Sequence, residues 1–242
     1  MTATRRSQFD TTHWSLVIAA GGDRVVPARE ALSKLCEIYW YPLYAFVRRQ
    51  GHDADAAQDL TQAFFVRLLD KQDWQDVRRE RGRFRSFLLA AMKHFLANEH
   101  RLRRRFKRGG HLVLLSLDLD GAEGRYEHEP SDLVTPETVF DRRWALTVLD
   151  RVFSQLRDEA ARRGKTSEFQ ELKGALSGDL PHGSYGAIGQ RLGLSEGAVK
   201  VAIHRLRRRF QGVLRQEIAQ TVSQDTDVDD EIRYLFKVLT GA

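Results

Sequence analysis

The chain has 242 residues, 42% of them apolar, which is enough for one large domain or two small ones with real cores. Its 39 Lys and Arg against 33 Asp and Glu leave a formal charge of +6, a balance that favours an anionic partner such as nucleic acid. No stretch approaches the roughly 20 apolar residues of a membrane span, residues 1–17 lack the apolar run of a secretory signal, and a lone cysteine, Cys36, excludes an intrachain disulfide. The cytoplasm is the expected compartment, with no membrane partner.

Residues 28–51 place Leu32, Leu35, Cys36, Tyr39, Trp40, Leu43, Tyr44 and Val47 on one helical face. Cys36 reads as a core residue within that stripe. Pro42 predicts a kink or restart, and Gly51 an end. Asp53 is placed to cap a second helix over 53–71, in which Ala57, Leu60, Phe64 and Leu68 form the apolar row. A polar loop (72–82) leads to a third helix over 83–108. It is apolar almost all round at first and basic at its end, with six Lys or Arg among residues 101–108.

Residues 109–135 mix acids, glycines and prolines and read as an extended linker, with a lone edge strand at Leu112–Leu117 as a minor alternative. Helical patterning resumes over 136–164, with Pro136 in the first turn, and continues over 167–178, 184–192 and 195–221. An acidic tract, 225–231, precedes a last amphipathic stretch. No segment carries a convincing sheet pattern. The expected fold is therefore all-α: an N-terminal extension (1–27), a helical domain (28–108), an acidic linker (109–135), a second helical domain (136–221) and an acidic C-terminal extension (222–242).

The second domain has a helix-turn-helix layout in "YGAIGQRLGLSEGAVKVAIHRLRRRF". Tyr185, Ile188 and Leu192 give one helix its inner face, Gly193 permits the tight turn, and Ser195 caps the next helix. Val199, Ile203, Leu206 and Phe210 form that helix's buried stripe. Its other surface carries Glu196, Lys200, His204 and a row of arginines. A capped cationic helix suits the major groove, its early residues at base edges and its arginines on phosphates. An ordinary helical hairpin with a solvated basic face is the plainer alternative.

This segment resembles region four of the bacterial extracytoplasmic-function (ECF) sigma factors, whose pattern is near Y-x-E-I-A-x-x-L-G-x-S-E-G-T-V-K-S-R-x-H-R-A-R. Tyr185, Ile188, Leu192, Gly193, Ser195, Glu196, Gly197, Val199, Lys200, His204, Arg205 and Arg207 match, whereas Ala187, Gly189, Ala198, Val201 and Ala202 depart. "DADAAQDLTQAFFVRLL" resembles the region-two signature that docks on polymerase, through Asp59, Leu60, Gln62, Phe65 and Leu68. "RGRFRSFLLAAMKHFLANEHRLRRR" resembles the stretch that captures and opens the minus-ten element, with Phe87 in place of the usual Trp and His94 in place of Asn.

The resemblance implies a sigma region 2 bundle and a region 4 helix-turn-helix that direct core RNA polymerase to promoters and assist minus-ten melting. Its implied minus-thirty-five contacts are Ser195, Glu196, Lys200, Val201, His204, Arg205 and Arg208. Its implied minus-ten contacts are Arg83, Phe84, Arg85, Phe87, Lys93, Asn98, Arg101 and Arg104, where rings stack on bases and cations follow the backbone. Core packing is the competing expectation for at least one of Phe84 and Phe87. Asp59, Gln62 and Phe65 are the implied core polymerase contacts, Asp59 and Gln62 facing outward together as i,i+3 neighbours.

The implied partners are the largest-subunit coiled coil and the flap of core RNA polymerase, and promoter DNA; an anti-sigma factor is a further partner that the family allows. The linker acids, among them Asp118, Asp120 and Glu123, either imitate RNA in the polymerase cleft or form a simple tether.

No enzyme is expected, and no catalytic residue, metal or cofactor. There is no HExxH arrangement, Asp53, Asp55 and Asp59 lack the glycine and terminal Glu of a calcium loop, and no phosphate-binding glycine motif occurs. A stand-alone helix-turn-helix regulator is the main alternative, with an adaptor for an acidic protein behind it. The extension 222–242 either folds back on a basic DNA-binding face or forms a tail with a loosely packed helix.

Overall fold

The structure, a computed structural model, describes residues 25–70, 83–105, 126, 135–176 and 184–241. Among the described residues eight α-helices follow in chain order: α1 (Val25–Arg49), α2 (Ala54–Asp70), α3 (Phe84–Arg105), α4 (Pro136–Arg162), α5 (Thr166–Leu172), α6 (Ser184–Leu192), α7 (Glu196–Ala219) and α8 (Val228–Thr240). Short 3-10 turns cover Lys173–Leu176 and Asp225–Asp227. Among the described residues there is no strand, only an isolated antiparallel bridge between Arg83 and Val222. The all-α class therefore holds. The linker apart from Tyr126 and Thr135, the loop 72–82 and the stretch Leu112–Leu117 lie outside the described residues.

Local chemistry sets the helix ends. Asp53 accepts the Ala56 N–H on its side chain at 2.8 Å and the Ala57 N–H on its carbonyl, which makes it the cap of α2. Thr135 does the same for α4, taking the Thr138 N–H on its hydroxyl, and Pro136 opens that helix, where a missing N–H costs nothing. Gly51 ends the α1 turn at φ +94°. The restart expected at Pro42 does not occur: α1 runs through it, held by a wall of buried residues from Leu35 to Val47.

The chain divides into two compact units. Of the described residues, one takes those up to Thr147 and those from Ile218 onward; the other takes those within Val148–Glu217. These limits differ from the expected 28–108 and 136–221, because the front of α4 and the whole C-terminal segment belong with the first unit. In that unit α1 packs on α2 and both on α3. Tyr39 lies edge-on to Phe84, with centroids 5.1 Å apart, and stacks on Phe140 of α4. Cys36 is buried, and burial, with the Glu37 charge, raises its thiol pKa well above the ordinary value, so it packs as an inert apolar group. In the second unit Leu172, Ala175, Ile188, Val199 and Ile203 form one core, with Tyr185, Leu192, Ala202 and Leu206 against it.

Candidate nucleic-acid interface

The α6–α7 turn is built by backbone geometry that few sequences allow. Gly193 takes φ +66°, and the Leu194 N–H donates back to the Gly189 carbonyl at 2.8 Å. A Cβ on Gly189 would stand 2.5 Å from the Leu194 carbonyl oxygen, so a side chain there would push α6 and the turn apart. Ser195 caps α7, its Oγ accepting the Ala198 N–H at 3.2 Å and its carbonyl the Val199 N–H. Glu196 reaches back over α6, where its Oε1 fills the space that a Gly186 Cβ would crowd at 3.0 Å.

Lys200 is exposed, with its Nζ 5.5 Å from the Tyr185 ring centroid, a cation–π contact that orients the ammonium. His204, Arg205 and Arg208 are exposed. Neither Arg205 nor Arg208 has an ion-pair partner among the described residues. The other two arginines of the row are committed inward, roles the sequence did not reveal. Arg207 donates from Nε and Nη2 to the Ala175 carbonyl at 3.1 and 2.8 Å, closing the 3-10 turn. Arg209 pairs with Glu159 of α4, Nε to Oε2 at 2.8 Å, and this hydrogen bond holds the Glu159 carboxyl below its ordinary value. Val201 is half exposed, and with Leu194, Leu156, Phe169 and Leu172 it lines an apolar groove of about 570 Å³ within this unit.

In the first unit the expected polymerase-docking trio separates. Asp59 is exposed, but Gln62 keeps only 4% of its surface and Phe65 1%. Gln62 therefore does not share an outward face with Asp59, and its Nε2 is buried without a hydrogen-bond partner among the described residues. Phe65 packs edge-on against Phe64 as core.

The expected minus-ten residues separate too. Phe84 is fully buried against Tyr39, the core position expected of at least one of the two rings, while Phe87 is half-buried beside it. Arg85 is also inside, 7% exposed. Its Nε donates to Glu231 Oε1 at 3.0 Å and its Nη1 to Asp141 Oδ1 at 2.8 Å. Its guanidinium carbon lies 4.1 Å from the Tyr234 ring centroid and 5.0 Å from that of Trp144. Burial opposes the Arg85 charge, but hydrogen bonding and charge from Glu231, with Asp141, outweigh it and raise its pKa. A guanidinium so neutralised has nothing left for a phosphate, so Arg85 is a structural residue here.

Arg83, half exposed, also pairs with Glu231, at 2.8 Å. Tyr234 donates to the second Asp141 oxygen at 2.6 Å; burial, then this bond, pushes its pKa up to about 12. Glu231, Asp141 and Tyr234 were missed from the sequence. The signal was an acid at position 231, in register with the apolar Val228 and Leu235 of an amphipathic helix.

Further along α3, Lys93, Asn98 and Arg101 are exposed. Lys93 and Arg101 lie two turns apart on the same side, with Asn98 flanking them. Lys93 contacts Glu137 at 2.7 Å, an exposed pair of the kind that exchanges easily for another anion. The Arg104 side chain lies outside the described residues. Among the described residues, no helix is long and apolar enough to cross a membrane.

In comparison with known proteins, a family model described as ECF sigma factor matches residues 29–216. Neither a curated protein nor a solved structure matched the chain.

Proposed function

This chain belongs to the ECF sigma factor family, whose role is transcription initiation, and from that premise we propose that it binds core RNA polymerase, directs it to promoters and assists melting of the minus-ten element. The observation that carries the reading is the capped α7. Its front carries Glu196 and an oriented Lys200, and behind them stand Arg205 and Arg208, cations without an ion-pair partner among the described residues. In the major groove Ser195, Glu196, Lys200 and Val201 meet the minus-thirty-five bases, while His204, Arg205 and Arg208 hold the backbone.

On α3 the exposed Lys93, Asn98 and Arg101, with Arg104 beyond them, follow the minus-ten strand, and Phe87, half-buried beside Phe84, presents a ring edge to a base. Asp59 is the exposed acid that meets the largest-subunit coiled coil. The polymerase performs the chemistry, so this chain is no enzyme, and its work is done in the cytoplasm.

Mixing the purified protein with bacterial core polymerase tests the reading by size exclusion. A stable complex is expected, weakened at least tenfold by Asp59→Ala. No complex, together with specific DNA binding by the protein alone, would replace this reading with a stand-alone regulator.

A further inference from the structure

The C-terminal segment closes on the start of α3 in two independent ways. The Thr221 carbonyl accepts the Phe84 N–H at 3.0 Å, and Val222 bridges to Arg83, so the backbone of residues 221–222 satisfies a donor that a helix leaves orphaned at its first turn. Glu231 of α8, fully buried, then takes both Arg83 and Arg85, while Tyr234 holds Asp141 against Arg85 from the other side. Two guanidiniums meet two carboxylates, and none of this depends on DNA.

We propose that residues 218–240 are a built-in clamp on the promoter-opening helix α3, and that Glu231 is its positioning residue. The inference rests on the minus-ten role given to α3 above. Apolar contacts alone would not fix α8: Val228, Ile232 and Leu235 repeat at helical spacing, so a slip of one turn would still bury an apolar stripe. A slipped Glu231 would bury an unpaired charge, which is prohibitive. The buried carboxylate therefore sets register, the best-attested use of a buried ion pair. What it fixes matters further along. Arg101 lies roughly 24 Å up the helix axis from Arg85, so a tilt of about 10° at the clamp moves Arg101 by about 4 Å. That is enough to take a side chain off its phosphate.

The test uses the full-length protein with Glu231→Gln, which keeps the shape and removes the charge, and Glu231→Asp as the conservative variant. Hydrogen exchange at residues 84–87 should quicken at least tenfold in Glu231→Gln. Affinity for core polymerase should stay within twofold. Open complex at the minus-ten element, read by permanganate on a promoter selected with the wild-type holoenzyme, should fall at least fivefold, and Glu231→Asp should recover more than half of it. Tyr234→Phe, a milder change, should shift exchange and opening in the same direction and keeps the test decisive if Glu231→Gln fails to fold.

Unchanged exchange, or core binding lost in step with opening, would overturn the proposal. So would a rise in opening, which would make the segment a lock rather than a clamp. A wild-type protein that binds no core polymerase would contradict the sigma reading separately, and the exchange measurement would still decide the clamp.

Discussion

Arginines 205, 207, 208 and 209 stand in one short row of α7, yet their surroundings divide them into two kinds. Arg208 faces solvent without an ion-pair partner among the described residues, so Arg208→Ala should weaken promoter binding evenly across sequences and flatten its salt dependence by about one unit. Arg207 spends its donors on the Ala175 carbonyl; Arg207→Ala should lower the thermal midpoint and leave the salt slope alone. Lys200→Ala should relax preference at one or two base pairs, read by binding-site selection.

Arg209 has a pH signature. Glu159 sits below the ordinary 4.5 because Arg209 hydrogen-bonds it. Its contribution to stability is present above the unfolded value and is lost as pH falls through the lower folded one. Arg209→Ala should return the Glu159 carboxyl toward 4.5 in an NMR titration and shrink the acid-side loss of stability.

The sequence displayed four identical side chains and placed them by helical period. It could not say which would find an acceptor, because the carbonyl of Ala175 and the carboxylate of Glu159 reach the row only through the tertiary fold. The same limit explains Gln62, Phe84 and Arg85. Their spacing in the chain was legible, but what covers Phe84 and Arg85 includes a C-terminal segment far along the sequence.

At the scale of elements, caps and periodicity carried most of the fold. Asp53, Pro136, Gly193 and Ser195 stand where their chemistry demands, and the helix limits lie within a few residues of the expected ones, except that α5 gives way to a 3-10 turn after Leu172. Gly189 stood out in the sequence only as a departure from the family pattern; in the structure it is the point of closest approach to the turn. Gly189→Ala should therefore destabilise the helix-turn-helix by about 1–3 kcal/mol in denaturant unfolding, the usual cost of overpacking. The C-terminal helix was legible as amphipathic, and its extension read as either folding back on a basic DNA-binding face or forming a tail. Glu231 is instead fully buried. Truncation before Val222 would leave Arg85 charged and deprived of Glu231, so the first unit should lose about 3 kcal/mol or more. A tail that merely aids solubility would cost almost nothing on removal.

For the whole molecule, composition and motif order pointed to a helical sigma factor, and the family match over residues 29–216 agrees. The division into units was not legible. A hydrophobic stripe reports that a helix has a buried side, but not which neighbour buries it, and so the limits of the compact units, at Thr147 and Ile218, could not be read from it. The formal charge of +6 suits an anionic partner but does not choose among nucleic acids. The most direct test is transcription in vitro, with core polymerase, this protein and fragmented genomic DNA from its own host. Discrete start sites are expected, each preceded by shared minus-thirty-five and minus-ten sequences and absent with core enzyme alone. Transcripts no different from those of core enzyme alone would contradict the proposed function.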